Sequence, residues 1–198
     1  GTLYSLAELE ELSALCRRYD IPLYLDGARL AYGLAAPDTD VSLADIARLT
    51  DAFYIGGTKC GALCGEAVVF PRGGMPRHFL THAKQHGALL AKGRLLGVQF
   101  DTLFTDDLYG EVGRTAAAAA DELRRILREA GCTFFRESPT NQQFVVLDNA
   151  QVEALAEGVR FSTWEKLGDG RTVIRLVTSW STTPDDLAAL KAALHEVL

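Results

Sequence analysis

Two residues of opposite charge follow two short apolar runs in the first third of the sequence. Asp26 follows the run LYL at 23–25, and Lys59 comes four residues after the run AFYI at 52–55. If both runs are buried strands of one parallel sheet, their carboxyl ends meet at one edge, and the acid and the amine face the same ligand. A buried Asp–Lys ion pair and two solvated loop residues are the alternatives.

An amine beside a carboxylate meets the two chemical needs of a pyridoxal phosphate site. The amine holds the aldehyde of the cofactor as a Schiff base, and the carboxylate keeps the pyridine nitrogen protonated. The protonated ring then accepts the electron pair of a bond broken at the substrate α-carbon. A lysine that is desolvated at a strand end has a pKa below its ordinary value of about 10.4, which leaves more of the reactive free amine. The sequence therefore predicts that Lys59 and Asp26 are catalytic and bind this cofactor.

The residues around this pair resemble the threonine aldolase and beta-eliminating lyase group of fold-type-I pyridoxal phosphate enzymes. Residues 24–31 read YLDGARLA, and Lys59 follows Asp26 by 33 positions. The resemblance continues through residues 61–70, 84–100 and 175–180. It implies that Lys59 forms the Schiff base, that Asp26 partners the ring nitrogen, and that two arginines, Arg29 and Arg175, lie near the substrate carboxylate.

Both arginines, and a threonine beside the lysine, are candidate binding residues on their own chemistry. A planar guanidinium can hold a carboxylate by two parallel hydrogen bonds. Arg29 is close enough to Asp26 to share its crevice, with a surface salt bridge as the alternative. Arg175 interrupts the apolar run 173–177, where an unpaired arginine is costly, unless it faces water. Thr58 is a candidate donor to the cofactor phosphate, with stabilisation of the turn as the alternative.

Metal binding receives little support from the sequence. His78, His82 and His86 recur every four residues, which would align them on one helix face, but no neighbouring carboxylate completes a site. Cys60 and Cys64 form a CxxxC pair without a second pair or a nearby histidine. We therefore assign no metal and expect the four cysteines to be reduced.

The hydrophobic pattern predicts an α/β region followed by a smaller α+β region. In the first region, strand candidates are apolar throughout and are separated by helical segments, which is typical of a mainly parallel sheet. We predict that residues 1–105 form the C-terminal part of the large fold-type-I cofactor-binding domain and that residues 106–198 form a small C-terminal domain. The predicted helices are 6–19, 41–49, 79–104, 106–130, 151–157 and 184–197. The predicted strands are 23–25, 52–55, 67–70, 133–135, 144–147, 160–164 and 172–178.

Composition narrows the class of protein and of partner. The chain has 198 residues, of which 48% are hydrophobic and 23% charged, so it can bury a sizeable core. A formal net charge of -6 and the absence of a long basic run argue against a nucleic-acid partner. No apolar run is long enough to span a membrane, and the first residues do not resemble a signal peptide, so we expect a cytoplasmic protein.

The leading functional hypothesis is a lyase that uses pyridoxal phosphate to cleave a β-hydroxy amino acid, such as threonine, into glycine and an aldehyde. β-Elimination or transamination on the same cofactor, and an inactive fragment with a structural role, are the alternatives. The resembling enzymes are longer, and their first half supplies a phosphate-binding loop and an aromatic residue stacked on the ring, neither of which is identifiable here. We therefore expect an incomplete enzyme, and the resemblance further implies a homo-oligomer, either a dimer or a tetramer.

Overall fold

The computed structural model describes residues 1–198, which divide into two compact units. The first unit contains residues 4–34 and 39–111, and the second contains residues 1–3, 35–38 and 112–198. In chain order the elements are α1 (Leu6–Arg18), β1 (Tyr24–Leu25), α2 (Leu30–Leu34), α3 (Leu43–Leu49), β2 (Ala52–Gly56), β3 (Glu66–Val69), α4 (Phe79–Gln85), α5 (Arg94–Leu103), α6 (Leu108–Glu129), β4 (Thr133–Arg136), β5 (Gln142–Asp148), α7 (Asn149–Ala156), β6 (Ser162–Lys166), β7 (Arg171–Val177) and α8 (Pro184–Val197).

The sheet of the first unit has the strand order β1-β2-β3. Strand β1 is parallel to β2, with Tyr24 opposite Ala52, and the predicted α/β class is confirmed. Strand β3 runs antiparallel to β2, with Gly56 opposite Glu66, and is the exception in a sheet that was expected to be mainly parallel. The reason is the connection 57–65, which is too short for the crossover that joins parallel strands and contains no helix.

Local capping signals set where the helices begin. Helix α1 starts after Ser5, whose side chain accepts the N–H of Glu8 while the Glu8 carboxylate accepts the N–H of Ser5. Helix α8 starts after Thr183 with the same reciprocal pair and with Pro184 in its first turn. Both helices lie within one residue of their predicted bounds. The single helical region predicted over 79–104 is instead two helices, because residues 86–93 form turns at 86–87 and 91–93 with irregular chain between them, and Gly87 and Gly93 weaken helix formation there.

The second unit is built on an antiparallel sheet with the strand order β4-β5-β7-β6. Its apolar core joins the inner faces of β5 and β7 to buried residues of helices α6, α7 and α8. The buried residues of this core are Ala119, Leu123, Ile126, Leu127, Val145, Leu147, Leu155, Ile174, Leu176, Leu187, Leu190 and Leu194. Helix α6 presents its part of the core at helical spacing, as an amphipathic helix should.

The chain enters the second unit for the last time inside helix α6, between Glu111 and Val112. The domain boundary predicted at residue 105 stays a prediction. A domain is a part of the chain that can fold by itself, and the grouping of residues into two compact units does not show that either unit does so. None of the helices is both long and apolar enough to cross a membrane.

Candidate active site

Asp26 and Lys59 extend from the same ends of two neighbouring parallel strands. Asp26 directly follows β1, and Lys59 lies three residues after the end of β2. Both side chains are exposed, and Arg29 is half-buried. The positive charges of Lys59 and Arg29 are close enough to help lower the pKa of Asp26. The structure therefore places three of the five predicted site residues, Asp26, Lys59 and Arg29, close enough for their charges to interact.

Asp26 is held as a carboxylate by hydrogen bonds more than by charge. The largest cause of its lowered pKa is a hydrogen bond from the Tyr54 hydroxyl, followed by one from the N–H of Ala28, 3.0 Å from Oδ1. The same bond to Asp26 is the main reason why the pKa of Tyr54 rises to about 12. Tyr54 consequently stays protonated as a donor, and Asp26 stays ionised, as its predicted pairing with a protonated ring nitrogen requires.

The main chain after β1 packs directly against the end of β2. The N–H of Gly56 donates to the carbonyl oxygen of Gly27 over 2.9 Å. A Cβ atom at Gly56 would collide with the carbonyl of Ala28, so only glycine permits this approach. The contact fixes the main chain on which Asp26 lies against the strand that leads to Lys59.

Two buried tyrosines donate hydrogen bonds to the main chain of this same region. The Tyr109 hydroxyl donates to the carbonyl oxygen of Gly56 over 3.1 Å and accepts the N–H of Ala31 over 3.2 Å. Burial raises the pKa of Tyr109, so its hydroxyl keeps its proton and can serve both bonds. The Tyr32 hydroxyl donates to the main-chain carbonyl of Lys59. These bonds join residues far apart in the sequence to the two strand ends.

The segment that carries Lys59 is stabilised by a carboxylate on β3. Glu66 accepts the N–H of Gly57 at 2.6 Å and the hydroxyl of Thr58 at 2.7 Å. Thr58 thus has the turn-stabilising contact that was the alternative to a phosphate contact, and its role toward the phosphate stays a prediction. A desolvated Lys59 was expected, but its side chain is exposed, because the lysine lies in a loop beyond the end of β2.

Arg175 lies on β7 in the second unit, where neutral groups surround it. Its Nη1 donates to the Gln142 side-chain oxygen over 3.1 Å, and its Nη2 donates to the Ser162 hydroxyl over 3.3 Å. Its Cζ is 5.8 Å from the centre of the Trp164 ring, and its buried Nε has no hydrogen-bond partner. A half-buried guanidinium with an unfilled donor and no carboxylate among these partners is suited to an external anion.

The histidine triplet does not form a metal site. His78 precedes α4 in a left-handed conformation, His82 is inside the helix, and His86 ends it. No group of three or more His, Cys, Asp or Glu side chains could hold a metal ion. All four cysteines are free thiols.

Sequence reasoning did not single out Tyr54, Tyr109, Tyr32 or Glu66. Tyr54 had a local signal, since its hydroxyl is the one polar side-chain group in the apolar run 52–55. Tyr109 had none, because its partner Ala31 is 78 positions away. Glu66 could be recognised only after β3 had been paired with β2.

Comparisons with known proteins agree on the family of this chain. The sequence model of the family described as beta-eliminating lyase matches residues 1–150. A low specificity L-threonine aldolase of Pseudomonas aeruginosa is 30% identical over 200 residues, which cover 100% of this chain and 57% of that protein. The structure of a threonine aldolase from Leishmania major is 41% identical, with a TM-score of 0.94, and the match covers 99% of this chain and 57% of that one.

A more distant structural neighbour shares the fold alone. Serine palmitoyltransferase of Sphingomonas wittichii is 15% identical, with a TM-score of 0.67 and coverage of 96% of this chain and 50% of that one. The chain thus spans a little over half the length of the curated relatives that it matches.

Proposed function

The chain belongs to the beta-eliminating lyase family, and from this premise we propose that it supplies the lysine-bearing part of a lyase that acts on a β-hydroxy amino acid. The family uses pyridoxal phosphate. The observation that carries the proposal is the grouping of Lys59, Arg29 and an ionised Asp26 at the ends of two parallel strands. The names of the curated relatives favour threonine or a similar substrate, with glycine and an aldehyde as products.

The donor set of the first unit fits the cofactor. When bound, pyridoxal phosphate supplies a ring that accepts the electron pair left by the breaking bond. Asp26 offers an acceptor that remains charged, because the N–H of Ala28 donates to it and the nearby Tyr54 hydroxyl lowers its pKa. Lys59 offers an exposed primary amine on a segment whose main chain is held by hydrogen bonds. A carboxylate and an amine from adjacent strand ends are the two groups that this cofactor requires at opposite ends of its ring.

Arg29 in the first unit and Arg175 in the second are each proposed as a carboxylate-binding residue. Arg29 contributes positive charge beside Asp26. Arg175 has the unfilled Nε donor and only neutral partners at its Nη atoms, so a carboxylate would satisfy it better than the groups that it contacts now. In this proposal a guanidinium that binds the carboxylate orients the amino acid, so that the binding geometry sets which bond is broken.

β-Elimination on the same cofactor is the second candidate reaction. The description of the matching family favours it, while the curated relatives favour carbon–carbon cleavage. Incubation with threonine separates the candidates, since retro-aldol cleavage releases acetaldehyde and glycine, whereas elimination of water releases ammonia and a keto acid. A homo-oligomer is also proposed, and sedimentation of the purified protein tests it.

The direct test of the proposal is covalent labelling of Lys59. The protein is mixed with pyridoxal phosphate, its visible absorbance is recorded, and borohydride reduction is followed by peptide mapping. We expect one dominant reduced adduct, on Lys59, and its loss in Lys59→Ala. Lys92→Ala removes another exposed lysine and should leave the adduct in place. Labelling spread equally over the surface lysines, or its persistence in Lys59→Ala, would reject Lys59 as the cofactor-bearing residue.

A further inference from the structure

The carboxylate of Glu66 is engaged by the two residues that immediately precede Lys59. Glu66 begins β3 and lies opposite Gly56 in the β2–β3 pairing. One carboxylate oxygen accepts the N–H of Gly57 at 2.6 Å, and the other accepts the hydroxyl of Thr58 at 2.7 Å. Bonds of this length to an ionised acceptor are stronger than neutral ones. Glu66 therefore contacts neighbouring residues of the lysine segment with both of its oxygens.

The main chain at Gly57 is closely constrained, and the Glu66 carboxylate is the hydrogen-bond acceptor for its N–H. The residue is buried, and its carbonyl oxygen accepts two further N–H groups, from Cys60 at 2.9 Å and from Ala62 at 3.0 Å. A buried N–H without a partner is costly, so loss of the Glu66 oxygen would favour a different path for this segment. A side chain at Gly57 would also meet the carbonyl oxygen of Gly65 at 2.5 Å, which leaves the main chain little freedom to shift.

Lys59 is one of the central residues of a turn that starts at Gly57. The bond from the N–H of Cys60 to the carbonyl of Gly57 closes a four-residue turn in which Thr58 and Lys59 are the two central residues. The Tyr32 hydroxyl holds the carbonyl of Lys59, and the Cys60 that follows is fully buried. The main chain of Lys59 is thus fixed from both directions, while its side chain remains exposed.

We propose that Glu66 is a positioning residue, which acts through Gly57 and Thr58 to hold the main chain of Lys59 in the orientation that presents its amine to the cofactor aldehyde. The inference rests on the function proposed above and deepens it. An amine that must react at one atom, while Asp26 holds the opposite end of the ring, tolerates little displacement. Glu66 does not touch the reacting atoms, so its effect is on the position of the amine and not on the chemistry itself.

The test compares Glu66→Ala with Glu66→Gln in the purified protein. The glutamine side chain keeps an oxygen for the N–H of Gly57 and offers an N–H to the hydroxyl of Thr58, whereas alanine keeps neither contact. Glu11→Ala is the control, because it removes an exposed carboxylate of α1 in the same unit. Three quantities are measured: the initial rate of adduct formation with pyridoxal phosphate, the hydrogen exchange of the peptide that spans residues 57–60 without cofactor, and the thermal midpoint.

In Glu66→Ala we expect adduct formation at Lys59 to slow, and exchange at residues 57–60 to accelerate, each by about tenfold, because a buried donor loses its partner. Glu66→Gln should stay within about threefold of the unchanged protein in both measurements. Glu11→Ala should match the unchanged protein. Comparable thermal midpoints for the two Glu66 variants would separate positioning from general destabilisation.

Several results would overturn the inference. Normal adduct formation in Glu66→Ala would remove Glu66 from the positioning of Lys59 while leaving the proposed function intact. Equal defects in Glu66→Gln and Glu66→Ala would assign the effect to negative charge and contradict the hydrogen-bond account. Unchanged exchange at residues 57–60 in Glu66→Ala would contradict it as well. If the unchanged protein forms no adduct, the proposed function fails, and the exchange measurement still decides whether Glu66 holds the segment.

Discussion

The two units of this molecule stabilise their sheets in different ways. In the second unit, the inner strands β5 and β7 pack against three helices, and Leu127, Val145 and Ile174 are fully buried. In the first unit the strands are shorter, and apolar side chains such as Tyr24 and Val68 are about half exposed. There, hydrogen bonds from side chains to the main chain define the strand ends.

This difference separates the residues that mainly stabilise the fold from the residues that position the main chain around the candidate site. Apolar burial is strong but non-directional, so a core such as that of the second unit contributes mainly to stability. Hydrogen bonds are directional, and the contacts of Tyr109 and Glu66 fix the main chain around exposed charged groups. Substitutions at the site should therefore alter function more than stability, and substitutions in the core of the second unit should do the reverse.

The largest effect on function is expected from Asp26→Ala. In the proposed function Asp26 is the charged partner of the ring nitrogen, so without this carboxylate we expect turnover of threonine to fall by about 100-fold or more. The adduct at Lys59 should still form, and the thermal midpoint should change little because Asp26 is exposed. Acetaldehyde release, adduct absorbance and thermal unfolding measure the three outcomes. Turnover that survives in Asp26→Ala would contradict its assignment to the ring nitrogen.

The opposite pattern is expected from Leu127→Ala in the second unit. The leucine is completely buried, so the substitution creates a cavity and should lower the free energy of unfolding by about 2–5 kcal/mol. Urea denaturation followed by circular dichroism measures this loss, and adduct formation at Lys59 in the native state should be retained.

Val68→Ala is the matched control for Leu127→Ala. The valine is on β3 of the first unit and is 48% exposed, so truncation should cost no more than about 1 kcal/mol. Equal losses of the free energy of unfolding in the two variants would contradict the inference that apolar burial stabilises the second unit more than the first.

The smallest effect is expected from Tyr54→Phe, and it should depend on pH. The Tyr54 hydroxyl is the largest cause of the lowered pKa of Asp26, so its removal should raise that pKa toward the ordinary value. A carboxyl with a depressed pKa stays ionised down to lower pH and loses its charge as the pH falls through the folded-state pKa. The acid limb of the turnover profile should consequently move to higher pH in Tyr54→Phe, with little change at neutral pH. An unshifted acid limb would show that Asp26 does not govern it.

Several features of the fold could be predicted because their causes are local. The starts of α1 and α8 follow from capping residues three positions apart. The strands that precede Asp26 and Lys59 follow from short apolar runs that end at turn residues. The break between α4 and α5 was not predicted, since overall apolar content conceals the turns between them. A mainly parallel sheet was predicted, but the antiparallel direction of β3 follows from a short connection that the apolar pattern does not reveal.

The amino-acid sequence by itself determined most of the element pattern, the candidate acid and amine, and the family of the chain. Only the tertiary structure decided how these two groups are held: Tyr54 on Asp26, Tyr32 on the carbonyl of Lys59, and Glu66 on the residues before it. The physical reason is the separation along the sequence of the residues that interact. Helix caps and strand periodicity arise between residues a few positions apart, whereas a hydrogen bond such as that between Tyr109 and Ala31 joins positions 78 apart and exists only once the chain has folded.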